Sequence, residues 1–91
     1  MTNDFMKLAA HVEMVDVDFG AVLLDRRSGT YWELNEMGTT VVHLGISAVP
    51  RDVIVDSIRS SYDVGSEQVD ADIDTLVAAL REAGLVVGAI P

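Results

Sequence analysis

The sequence predicts an α+β fold: a three-stranded antiparallel β-meander followed by three α-helices, in a winged helix-turn-helix-like arrangement. Three observations predict it. Short apolar runs broken by tight turn residues fill residues 11–34, the mark of strands joined by hairpins. Apolar residues at helical spacing fill residues 37–83. The strands come first and the helices after them, so both sets share one core instead of alternating into a parallel sheet.

The elements follow in order. Residues 1–9 are expected to be a flexible lead-in, since Phe5, Met6 and Leu8 show no period. In His11 to Val17, Val12 and Met14, with Val15 as a further candidate, alternate with polar neighbours, which predicts a half-buried strand. Asp18-Phe19-Gly20 turns the chain. Ala21 to Asp25 is a second strand around Val22, Leu23 and Leu24, and Arg26 to Gly29 turns it again. Thr30 to Leu34 is the third strand, rich in residues that suit a pleated surface. Alternation sets Trp32 and Leu34 towards the helices and Tyr31 and Glu33 on the other face. The short connections make a meander the simplest topology.

Asn35 is the expected N-cap of the first helix, and Glu36 suits its positive end. Met37, Val41 and Leu44 form one helical face, with Gly45 as the expected stop. Pro50 fits the first turn of a second helix. Val53, Ile54 and Ile58 are that helix's apolar side, and it ends near Ser60 or Tyr62. Asp63-Val64-Gly65 links it to a third helix opening at Ser66, with Val69, Ile73, Leu76, Val77 and Leu80 as apolar positions. These cover an arc of about 100°, or roughly 160° with Ala79 and Ala83. The arc is either all core or leaves part of its width open beside the third strand. Gly84 suits the position after the helix. Leu85-Val86-Val87 is a short strand or a packed tail, and residues 88–91 are expected to be flexible.

Composition narrows the function. Ninety-one residues predict one domain, which buries only about 60% of its unfolded surface and leaves no room for a deep enclosed active site. No stretch approaches the ~20 apolar residues of a membrane span, and no signal peptide is evident; a cytoplasmic location is expected. The absence of Cys excludes disulfides, thiolate zinc sites and cysteine nucleophiles. Six Lys and Arg against fifteen Asp and Glu give a net charge of −9. Such a surface repels phosphate and anionic lipid and suits a basic peptide or protein face. A hydrophobic content of 49% argues against disorder.

Catalytic and metal patterns fail one by one. His11 and His43 lie in different elements without partners at ligand spacing. Asp70, Asp72 and Asp74 mimic the start of a calcium loop, but Thr75 stands where its Gly belongs and Arg81 where its Glu belongs. There is no nucleophile elbow and no phosphate-binding loop. No enzyme activity, metal or cofactor is expected. The second and third helices could form a helix-turn-helix, yet Glu67, Asp70, Asp72, Asp74 and Glu82 accompany a single Arg81 on the third, the wrong charge for nucleic acid.

Tyr31-Trp32-Glu33-Leu34-Asn35-Glu36-Met37-Gly38 resembles the aromatic-x-x-Leu-Asn-x-x-Gly signature of PqqD-like proteins, the recognition elements for precursor peptides of ribosomally made natural products (RiPPs). The run from Gly20, the Gly29 turn and the closing helix from Val69 to Gly84 with Leu85-Val86 fit as well. The likeness spans residues 10–87 and is greatest to the standalone leader-binding proteins of lasso-peptide biosynthesis. One departure is Leu44-Gly45-Ile46, where relatives often carry an Asp-Gly turn.

The resemblance implies that the leader segment of a precursor peptide adds as a strand beside the third strand, against the third helix. It also implies presentation to a leader peptidase and a cyclase. An exposed edge strand fits that role physically, because its unpaired backbone groups accept an extended peptide. Placed by geometry, the expected contacts are Thr30, Tyr31, Glu33 and Leu34 on the strand and Val69, Ile73, Val77 and Leu80 on the helix. Asp70 and Asp74 form an acidic rim for a basic leader. Trp32 is expected in the core, and Asn35 and Gly38 in structural roles. The protein is expected to act as a monomer. The alternatives are a winged-helix regulator and a dimerisation module using the same edge.

Overall fold

The computed structural model describes residues 5–90. The elements are β1 (Lys7–Leu8), β2 (Val12–Val17), β3 (Gly20–Asp25), β4 (Tyr31–Asn35), α1 (Glu36–Ile46), α2 (Arg51–Ser61), α3 (Ser66–Glu82) and β5 (Val86–Val87). β2, β3 and β4 form the antiparallel meander, with β3 in the middle. Three helices follow it, so the α+β fold expected from the sequence is the fold observed.

Register explains the faces of the sheet. Leu23 lies opposite Met14 and Trp32, and Ala21 opposite Asp16 and Leu34. Paired residues share a face, and Ala21, Leu23 and Leu34 are buried on the helix side. The next rows, Val15 with Val22 and Glu33, and Glu13 with Leu24 and Tyr31, face away. α1 packs on β3 and β4, and α2 packs on both α1 and α3. One apolar cluster joins sheet and helices, with Leu23, Val42, Ile54, Ile73 and Leu80 fully enclosed.

α1 starts where expected. The Asn35 side chain accepts from the Gly38 N–H at 2.8 Å, satisfying one of the helix's unpaired first-turn donors. Gly45 is not the stop, because the helix runs to Ile46 and Gly45 is buried within it. A Cβ there would lie 2.7 Å from Met6 Cε and 2.9 Å from Ile90 Cδ1, so this glycine makes room for both ends of the described chain. Pro50 is the N-cap of α2 and not its first-turn residue. Gly84 takes φ +76 after α3, the left-handed conformation that closes a helix.

The expected lead-in is largely structured. β1 pairs antiparallel with β5, Lys7 opposite Val87 and Leu8 opposite Val86, and Met6 and Ile90 are buried in the core. Residues 5–9 and 88–90, expected to be flexible, carry that pairing and packing. Residues 1–4 and 91 lie outside the described residues. A two-residue strand contains no alternation to detect, which is why the sequence pattern missed β1 and left Leu85-Val86-Val87 as either a short strand or a packed tail.

Candidate functional site

Among the described residues, β4 has a bonded neighbour on one side only, β3. The Asp25 N–H donates to the Thr30 carbonyl at 2.9 Å, and this bond sets the phase of the ladder. Backbone groups alternate along an antiparallel pair, so Thr30, Trp32 and Leu34 turn theirs towards β3. Tyr31 and Glu33 turn their N–H and C=O groups outward. No Pro, Lys or bulge blunts this edge, the usual devices against strand addition. Asn35 ends it, since its side chain caps α1 and its carbonyl accepts from Thr39 Oγ1 at 2.8 Å.

Beside the edge lies a groove of about 280 Å³. Glu33, Leu34 and Asn35 border it from β4, Met37, Gly38 and Val41 from α1, and Val69, Asp72, Ile73 and Leu76 from α3. The walls are mostly apolar, with Glu33 and Asp72 as the acidic residues among the lining. Gly38 keeps the corner narrow: a Cβ there would lie 3.2 Å from Asn35 Oδ1 and 3.6 Å from Leu76 Cδ2. An open strand edge next to an apolar trough is the geometry that holds an extended peptide: backbone bonds on one side, side-chain pockets on the other.

The structure brings together four of the expected contacts. Leu34, Glu33, Val69 and Ile73 line the groove, the last two as an almost fully buried floor. Val77 and Leu80 are core and line nothing there. Thr30 precedes the strand, with its hydroxyl 2.6 Å from that of Ser28. Tyr31 is exposed on the sheet face away from the helices. Asp70 and Asp74 are not on the groove. Arg51 of α2 reaches them at 3.3 and 2.8 Å and also donates to the Ile90 carbonyl at 3.0 Å. The single Arg51 charge partly offsets the two carboxylates, away from the groove.

Sequence reasoning missed Asp72 and Met37, and placed Leu76 in the apolar arc without assigning it a contact. Asp72 and Leu76 stand four apart on the flank of α3 that lines the groove, which is the signal that could have found them. Trp32 was expected in the core. It lies on the helix side of the sheet, opposite Leu23, but is 38% exposed, because alternation assigns a face and not the thickness of what covers it.

At the far end of β4 the chain enters by a tight turn. The Arg27 N–H, donating at 2.9 Å, is the main cause that holds the Asp25 carboxyl below its usual 3.8; burial opposes it, and the Ser28 N–H at 3.3 Å adds a lesser lowering. Among the described residues no cluster of three or more His, Asp or Glu is placed to hold a metal ion. No helix among them is long and apolar enough to cross a membrane.

The family model of PqqD, coenzyme PQQ synthesis protein D, matches residues 20–86. A lasso peptide synthetase B1 solved in complex with the leader peptide is 30% identical, with a TM-score of 0.84 over 91% of this chain and 98% of that one. TbiB1 in complex with the TbiA(beta) leader peptide is 29% identical, with a TM-score of 0.77 over 88% of this chain and 93% of that one. No curated protein sequence matches.

Proposed function

Because this chain belongs to the PqqD family, we propose that it binds the leader segment of a ribosomally made precursor peptide, as a RiPP recognition element of lasso-peptide biosynthesis. The leader adds as a strand to the open edge of β4. The observation that carries this reading is the groove beside that edge, lined by Leu34, Met37, Ile73 and Leu76. The outward N–H and C=O groups of Tyr31 and Glu33 bond the leader's backbone. Each such bond contributes about 0.5–1.5 kcal/mol net, so the edge alone gives generic, modest affinity. Selection comes from apolar leader side chains entering the trough. Two relatives solved with leader peptides support the assignment.

The bound leader is presented to the enzymes that process the precursor, a leader peptidase and a cyclase. The protein acts as a single copy and has no chemistry of its own in this scheme. Leu76→Asp, which places a charge in the trough, weakens leader binding at least tenfold in a calorimetric titration. Asp74→Asn, on the other flank of α3, leaves it within twofold. Equal effects of the two changes would contradict the placement of the site.

A further inference from the structure

The β2–β3 turn carries a residue that turn chemistry does not choose. Phe19 sits at φ +66, a region that Gly, Asn and Asp enter easily and a bulky side chain enters under strain. Phe19 is also 82% exposed. The aromatic ring therefore neither relieves the turn nor fills the core. Strain kept in place at an exposed side chain points to a use at the surface.

The surroundings define that surface. Val17 and Val15, both about half exposed, continue the apolar strip from the turn along β2. Asp16 and Asp18 precede Phe19 in the sequence, and Glu36, which opens α1, lines the same concavity as Asp16 and Phe19. Beneath the turn is a shallow concavity lined by Asp16, Val17, Phe19, Glu36, Thr39 and His43, among others, without a Lys or Arg. His43 Nε2 and Asp16 Oδ1 are 2.8 Å apart there. The turn also lies close to the leader edge. Gly20 pairs with Asn35, and the Leu34 carbonyl occupies the place a Gly20 Cβ would take. A strand held on the free edge of β4 therefore has one of its ends at the same end of the sheet as Phe19, with β4 between them.

We infer that the β2–β3 turn is a docking knob for a processing enzyme whose surface offers an apolar socket ringed by Lys or Arg. Phe19 and Val17 fill the socket, and the carboxylates of Asp16, Asp18 and Glu36 meet its rim. Aromatic anchors at the centre of a patch carry most of an interface's affinity, and rim charges govern encounter. A second copy of this chain is a poor occupant, because it brings the same acidic ring and a net charge of −9. The knob rests on the leader-binding reading only for the identity of its partner, an enzyme that acts on the leader-bearing precursor.

The test uses the full chain, wild type and with Phe19→Gly or Asp18→Lys. Leader affinity is measured by titration, and binding to the purified peptidase and cyclase of the same pathway by interferometry. The expected result for Phe19→Gly is an unchanged or raised Tm, leader affinity within twofold, and at least tenfold weaker binding to one of the enzymes. Asp18→Lys weakens the same enzyme and flattens the salt dependence of its binding. Equal enzyme binding by all three proteins, or none by wild type, overturns the inference. A lowered Tm for Phe19→Gly also overturns it, since the ring would then be structural, and so does a parallel loss of leader affinity. Failure of wild type to bind leader, with enzyme binding still responding to Phe19→Gly, overturns the leader assignment and leaves the knob standing.

Discussion

At Gly20 a side chain has no room. Its Cβ would collide with the Leu34 carbonyl, a backbone atom that cannot rotate away, so β3 and β4 would have to part at the base of the site. Overpacking of this kind costs about 1–3 kcal/mol, and Gly20→Ala lowers the urea midpoint accordingly. Asp25 acts at the other end of the hairpin through charge. Its carboxyl titrates below 3.8 in the folded chain, first because the Arg27 N–H bonds it. A depressed pKa stabilises the fold above the unfolded-state value, and that stability disappears as pH falls through the lowered one. The Tm advantage of wild type over Asp25→Asn is therefore present at neutral pH and shrinks below pH 3.8; an advantage that grew in acid would reverse the sign. Residue roles were legible where the partner is local. Asn35 read as a cap because Gly38 is three residues on. Asp70 and Asp74 were misplaced because their partner, Arg51, is 19 and 23 residues away, beyond the reach of any helical projection.

Among the elements, β4 has two unlike edges, and substitutions can tell them apart. The Glu33 N–H points outward and the Leu34 N–H towards β3, by the phase that the Asp25–Thr30 bond sets. Proline removes a donor and is tolerated only where that donor faces away from the ladder. Glu33→Pro therefore keeps the circular dichroism and thermal melt of the folded chain while weakening leader binding tenfold or more. Leu34→Pro unfolds it. If both variants folded and bound equally, β4 would not be the docking edge. β2, β3, β4 and the three helices were legible because each is at least five residues long and carries a signal of its own: alternation in β2, a continuous apolar run between turns in β3, strand-favouring residues in β4 and helical spacing in the helices. The β1–β5 ribbon was not, being two residues long on each side. The groove was half legible. The alternation in β4 and the arc on α3 were visible, but which flank of α3 faces β4 depends on packing against α2.

For the molecule as a whole, the charge and the fold separate two functions that share one architecture. A winged helix built for DNA carries a basic recognition face. Here α3 carries five acids and one Arg, in a chain of net charge −9. The same arrangement of strands and helices leaves a strand edge open beside α3 instead, and the chain ends close the far side through Met6 and Ile90 against Gly45. In the proposed complex a leader peptide becomes the fourth strand of the meander. Amide hydrogen exchange, read residue by residue by NMR with and without saturating leader, tests it most directly. Strand addition slows exchange at Tyr31 and Glu33, whose amides face outward, by tenfold or more. Trp32 and Leu34, already bonded to β3, change far less. Exchange at Tyr31 and Glu33 that stays as fast in the loaded protein as in the free one would contradict the account.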